Sequence, residues 1–193
     1  LGTKHIMLVL SDYGYHDLAY RLFQQTEYPS WGYSVVNGST SIWERWNSYS
    51  KDDEVNNANN AQMNSFSHYS LGAVAEWMFV HALGIETNGP GYRKLRIQPA
   101  ISREMDHLEG SYTSINGTIH SSWGWDEDEV TFKITIPANT TAEIHLPVAT
   151  PSTLREGGNK VKSGIGMQIK SAGNGQTILE VGSGNYTFTF TAM

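Results

Sequence analysis

Up to about residue 90 the apolar positions recur at helical intervals, and beyond it they recur at every second position. Lys4 to Leu10 and Asp17 to Gln25 predict two short helices. The second carries Leu18, Ala19, Leu22 and Phe23 on one face, with Asp17 available as a cap or first-turn acid. Ser11-Asp12-Tyr13-Gly14 predicts a tight turn between them, and antiparallel helix pairs of this kind build bundles and toroids. A third helix is expected from Trp31 to Val36, opened by Pro29, which a first turn tolerates, and stopped by Asn37-Gly38. Ser39 to Trp46 has too many hydroxyl and β-branched residues for a helix and predicts an extended segment that delivers Glu44 to a cavity. Residues 47–62, with Lys51-Asp52-Asp53-Glu54 and then Asn56, Asn57, Asn59 and Asn60, predict a surface loop. From Asn64 or Ser65 a helix should run to Leu83, with Gly84 as its stop. It is apolar nearly all round, which predicts burial between layers, as in the inner ring of a helical toroid.

Asn88-Gly89-Pro90-Gly91 breaks the composition, and the expected domains are 1–92, helical, and 93–193, β. In the second, Leu95 and Ile97, Ile119 and Trp123, Val130 to Ile136, Ala142 to Leu146, and Tyr186 to Phe190 alternate with polar residues. Turn-formers separate these runs at Asn116-Gly117, Pro137-Ala138-Asn139, Gly157-Gly158-Asn159 and Gly173-Asn174-Gly175. That pattern predicts an antiparallel β-sandwich.

The chain has 193 residues, 39% of them hydrophobic and 11% aromatic, enough to form cores rather than remain disordered. A net charge of -6 leaves no basic stripe and argues against nucleic acid or an anionic membrane surface as partner. Without cysteine there is no disulfide framework, thiolate nucleophile or cysteine-ligated zinc. No apolar run reaches the roughly 18 residues of a membrane span. The compartment stays open, since a bacterial periplasmic protein can also lack cysteine.

The candidate chemistry lies in residues 29–72. Glu44 sits between Trp43 and Trp46, beside Arg45, and His68 follows across the polar loop. A carboxylate and an imidazole among Trp, Tyr and Asn suit a sugar, because aromatic faces stack on C–H bonds while polar groups bind hydroxyls. Plainer readings stand beside each residue: Glu44 as a surface ion pair with Arg45, His68 as a cap or hydrogen-bonded core residue, and Trp43 and Trp46 as core filler. Few cations near Glu44 in sequence argue against uronate substrates. Asp52, Asp53 and Glu54 lack the alternating oxygen ligands and central Gly of a calcium loop, so no metal is expected.

The motifs carry a resemblance as well. Leu10 to Leu22, then Tyr-Pro-Ser-Trp-Gly-Tyr, Gly-Ser-Thr-Ser-Ile-Trp-Glu-Arg-Trp, Met-Asn-Ser-Phe-Ser-His-Tyr and Gly-Pro-Gly-Tyr, in this order and spacing, resemble the bacterial α-L-rhamnosidases of glycoside hydrolase family 78. Ile-Pro-Ala-Asn-Thr-Thr-Ala-Glu-Ile-His-Leu-Pro at 136–147 extends the likeness into the β half. The resemblance implies the last helices of an (α/α)6 catalytic barrel, with the remainder of the barrel upstream, followed by a C-terminal β-sandwich. It also implies an inverting glycosidase that removes terminal α-L-rhamnose from a glycoside or oligosaccharide and uses no cofactor. Glu44 would be the general base and His68 a ligand of a rhamnose hydroxyl, with Trp43 and Trp46 flanking the base; the general acid would come from an upstream loop. The alternative is a carbohydrate-binding or structural β module on another helical-toroid glycosidase or a polysaccharide lyase, with Tyr112, Trp123 and Trp125 as stacking residues.

Overall fold

The computed structural model describes residues 2–50 and 64–191 and divides into two compact units. The first comprises residues 2–77 with Ser102–Glu104, and the second comprises Met78–Ile101 with residues 105–191. Most of the expected 47–62 loop lies outside the described residues.

In the first unit, α1 (Thr3–Asp12) and α2 (His16–Gln24) form the expected pair, linked through Tyr13-Gly14-Tyr15 with Gly14 at φ +82°. Asp17 lies in the first turn of α2 and accepts a hydrogen bond from Ser102 Oγ at 2.7 Å. Helix α3 (Trp31–Val36) has the expected bounds, but Ser30 rather than Pro29 starts it. The Ser30 side chain accepts from Tyr33 N at 2.9 Å, which a proline cannot do.

The expected helix from Asn64 to Leu83 is broken up. Residues 64–68 are not helical, α4 (Tyr69–Gly72) and α5 (Val74–Trp77) are single turns, and a π-helical turn, Met78–Ala82, opens the second unit. Its surroundings also differ from the all-round burial expected: Ala75, Glu76, Met78 and Phe79 are exposed. Trp77 is the buried anchor at 1% exposure. Its indole N–H donates to the buried Ser11 Oγ at 2.8 Å, and its ring packs against Tyr20 and Phe23 at 5.2 and 5.4 Å. Met7, Ala19, Tyr20, Trp31, Trp43, Leu71 and Val74 complete this small core. Much of the apolar surface stays outside it: Val9, Tyr13, Tyr15 and Leu18 on and between α1 and α2, and Val35 and Val36 on α3, are all exposed.

The second unit holds two sheets. One orders its strands β1 (Ile85–Thr87), β2 (Lys94–Ile97), β6 (Thr141–Leu146), β10 (Gln176–Val181) and β9 (Met167–Gly173), antiparallel except for β2 beside β6. The other runs β3 (His107–Ser114), β4 (Gly117–Asp126), β5 (Glu129–Ile136), β11 (Gly184–Thr191), β7 (Arg155–Glu156) and β8 (Asn159–Lys160), all antiparallel. This is the expected arrangement of helices followed by an antiparallel β-sandwich. The alternation converts directly into burial: Val130, Phe132, Ile134 and Ile136 are buried while Glu129 and Lys133 are exposed, and Ala142, Ile144 and Leu146 repeat the pattern. The composition break at Asn88–Gly91 joins β1 to β2, with Gly89 and Gly91 at positive φ.

Trp123 shares the buried face with Ile119 and is 2% exposed. Its indole donates to Ala82 O at 2.9 Å while Ser121 Oγ donates to Leu83 O at 2.6 Å, so two β4 side chains satisfy carbonyls at the end of the π-helical turn. Trp123 is therefore core and cannot stack on a sugar. Among the described residues no helix is long and apolar enough to cross a membrane.

Gly84 is required where it stands. It has φ +70°, and a Cβ there would lie 2.2 Å from Pro99 N and 2.4 Å from Gln98 C, both backbone. Gly84→Ala should lower stability by about 2–4 kcal/mol, the left-handed penalty plus backbone displacement. Urea unfolding of the 193-residue chain tests this; an unchanged midpoint would show that the turn relaxes freely.

Candidate active site

The segment carrying Glu44 is held by residues far along the chain. His68 N donates to Ile42 O at 2.8 Å and Glu44 N donates to Ser65 O at 2.9 Å; Ser41 Oγ adds a bond to Phe66 O. These bonds tie 41–44 to 65–68 as two irregular, bent arms without a regular ladder. The segment expected to be extended is instead bent at 40–41 and 44–45 and turns at Trp46, and pairing with a distant stretch holds it in place.

Ser65 N donates to Glu44 Oε2 at 2.8 Å. Ser65 thereby satisfies both the backbone and one carboxylate oxygen of the same residue. Among the described residues this is the only hydrogen bond to the carboxylate, so the second oxygen remains available to a water or hydroxyl. The carboxylate is half-buried, and no ion pair to Arg45 occupies it among the described residues.

His68 is the N-cap of α4, its Nδ1 accepting from Ser70 N at 3.2 Å. In the neutral ring this places the proton on Nε2, which becomes a donor for a ligand. The cap reading and the ligand reading are therefore compatible, because they use different nitrogens. The imidazole also stacks on the Tyr69 ring, centroids 5.2 Å apart at 21°.

Glu44 and His68 line one open cleft of about 450 Å³ with Lys4, Tyr28, Arg45, Trp46, Asn47 and Tyr69. Trp46 stands edge-on to Trp31 at 4.9 Å and 90°. It also borders a smaller, more apolar hollow with Ile6, Leu22 and Pro29. The two tryptophans flanking Glu44 thus part company. Trp43 is 5% exposed, packs against Tyr49 and Phe66, and does not line the cleft. One ring meets the cleft and the other the core, which their order in the sequence does not disclose.

Sequence proximity also understated the charge. Lys4, on α1, joins Arg45 in the cleft lining, so scarcity of cations near Glu44 is not an argument about substrate. Tyr28 and Tyr69 are further lining residues that sequence reasoning did not single out; Tyr69, next to the His68 cap, is 74% exposed. Among the described residues no group of His, Asp and Glu could hold a metal ion.

Known proteins share both the sequence and the fold. Residues 1–82 match the bacterial alpha-L-rhamnosidase 6 hairpin glycosidase domain, and residues 84–161 match the bacterial alpha-L-rhamnosidase C-terminal domain. An alpha-L-rhamnosidase of Streptomyces avermitilis is 36% identical over 189 residues, covering 98% of this chain but 17% of that protein. One from an Alteromonas species is 38% identical over 147 residues, 76% of this chain and 16% of that protein. The crystal structure of the Streptomyces avermitilis enzyme complexed with L-rhamnose superposes with a TM-score of 0.83 at 34% identity, covering 99% of this chain and 18% of that one. The chain therefore spans under a fifth of the length of these relatives. With both domain types present in sequence order and the matching fold, the chain belongs to the bacterial α-L-rhamnosidase family.

Proposed function

We propose that this chain is part of an inverting α-L-rhamnosidase that releases terminal α-L-rhamnose from a glycoside or oligosaccharide, with Glu44 as general base. The observation that carries the reading is the shared cleft: a carboxylate with one oxygen held by Ser65 N–H and the other available, facing the same space as a histidine whose Nε2 is free of the cap. In the proposed step Glu44 takes a proton from water as the water oxygen bonds to the anomeric carbon. The glycosidic C–O bond breaks at the opposite face of the ring, and a general acid protonates the leaving oxygen. Among the described residues that line this cleft no second carboxyl is found, and the acid is assigned to another part of the barrel. His68 Nε2 donates to a rhamnose hydroxyl, Trp46 offers its ring to the sugar, and Trp43 supports the segment from below. The exposed apolar residues of α1, α2 and α3 support contact with the remaining barrel helices, since a monomeric domain rarely leaves so many uncovered. The relatives named above, and the L-rhamnose bound to one of them, favour rhamnose over other deoxysugars or uronates.

The decisive measurement is the anomer first released from an aryl α-L-rhamnoside by the complete protein, followed by NMR. β-L-rhamnose is expected; release of the α-anomer would overturn the inverting assignment. His68 is tested by His68→Asn, because asparagine can cap α4 but lacks the Nε2 donor. kcat/KM should fall by about 10- to 100-fold, mostly through KM, the effect of one lost ligand hydrogen bond. Unchanged kcat/KM with a stable cap would return His68 to a purely structural role.

A further inference from the structure

We propose that Ser48 and Asn64 are positioning residues that aim the Glu44 carboxylate. The inference rests on Glu44 being the general base. Ser48 follows Glu44 within one turn and is 1% exposed, an unusual degree of burial for a serine on a segment with no regular secondary structure. Its hydroxyl accepts from Arg45 N at 3.2 Å. Arg45 O lies 3.0 Å from Oγ but already accepts from Ser48 N at 3.2 Å. A hydroxyl has one proton to give, and the shorter contact, 2.8 Å to Asn64 Oδ1, is the one for which no other donor competes among the described residues. Asn64 Nδ2 completes a reciprocal pair by donating to Ser48 O at 3.3 Å.

Asn64 directly precedes Ser65, the residue whose N–H holds Glu44 Oε2. A closed circuit results, from Glu44 through Arg45 and Ser48 to Asn64 and Ser65 and back to the carboxylate. Neither Ser48 nor Asn64 lines the cleft, so neither can contribute by touching the sugar. What the pair does is fix the distance between the two arms. Without it, the Ser65 N–H is free to shift along with the chain that follows Glu44, and a displacement near 1 Å at a catalytic group costs roughly a hundredfold in rate.

The test uses Asn64→Ala and Ser48→Ala in the complete enzyme, each alone and each combined with Glu44→Gln, with an aryl α-L-rhamnoside as substrate. Each single variant should lower kcat by about 10- to 100-fold with KM within about threefold, because binding groups are untouched. In the Glu44→Gln background neither should cost more than about a further twofold, since a positioning residue has nothing left to aim. Full additivity in that background, or single variants with unchanged kcat, would overturn the proposal. Should Ser48→Ala fail to fold, as judged by circular dichroism, Asn64→Ala at its half-buried site decides the question alone. An unimpaired Glu44→Gln enzyme would instead sink the base assignment itself, an outcome read from that single variant independently of the other two.

Discussion

Replacing Glu44 by glutamine in the complete enzyme should lower kcat by roughly two to four orders of magnitude while leaving KM nearly unchanged. Glutamine keeps the volume of the side chain, and its carbonyl oxygen can accept the Ser65 N–H that now holds Oε2 at 2.8 Å. What it loses is the ability to take a proton from water. The expected loss amounts to about 3–5 kcal/mol of barrier. A better leaving group should not restore the rate, because water attack and bond cleavage share one transition state in an inverting mechanism. Azide should restore it, since an anion needs no deprotonation, and the product should be β-L-rhamnosyl azide. A Glu44→Gln enzyme with normal kcat would reject the base assignment and leave Glu44 as a structural carboxylate bonded to Ser65.

The largest effect on stability is expected at Trp77. Its ring is 1% exposed, fills the space between α1 and α2, and contacts Tyr20 and Phe23. Trp77→Ala should destabilise the helical unit by about 3–5 kcal/mol through lost transfer energy and the cavity left behind. The loss of its N–H also leaves Ser11 Oγ, in a 4% exposed residue, without the bond at 2.8 Å. Trp77→Phe isolates that second part: it keeps most of the packing and should cost about 1–3 kcal/mol. Chemical denaturation of the 193-residue chain, followed by the helical circular dichroism signal, measures both. Equal losses for Ala and Phe would mean that the hydrogen bond, and not the ring volume, stabilises the unit.

The β half was more legible than the helical half because burial on a strand follows position parity. Val130 to Ile136 and Ala142 to Leu146 alternate in sequence and alternate in burial. Strands β9 and β10 are not legible for the same reason: β9 is an edge strand with no buried residue, and in β10 Ile178 on the other face breaks the alternation of Thr177, Leu179 and Val181. The helix expected from Asn64 to Leu83 is broken up because apolar content does not by itself make a helix continuous. Its first residues have a competing use, hydrogen bonding to 41–44, and Met78–Ala82 widen into a π-helical turn. Local propensity has no means of weighing a partner so distant in the chain.

At the site, residue types and motif order bring Glu44 and His68 forward as candidates, and the fold places both on one cleft. Periodicity likewise settled the change from helices to an antiparallel sandwich. The tertiary structure alone decided that Trp46 meets the cleft while Trp43 is buried, that Lys4 arrives from α1, and that Ser65 grips the carboxylate while Ser48 and Asn64 tie the arms. The physical reason is one of range. Periodicity and capping act over a few neighbouring residues and can be read in order along the chain, whereas side-chain direction in an irregular segment is set by whichever distant backbone groups satisfy its hydrogen bonds.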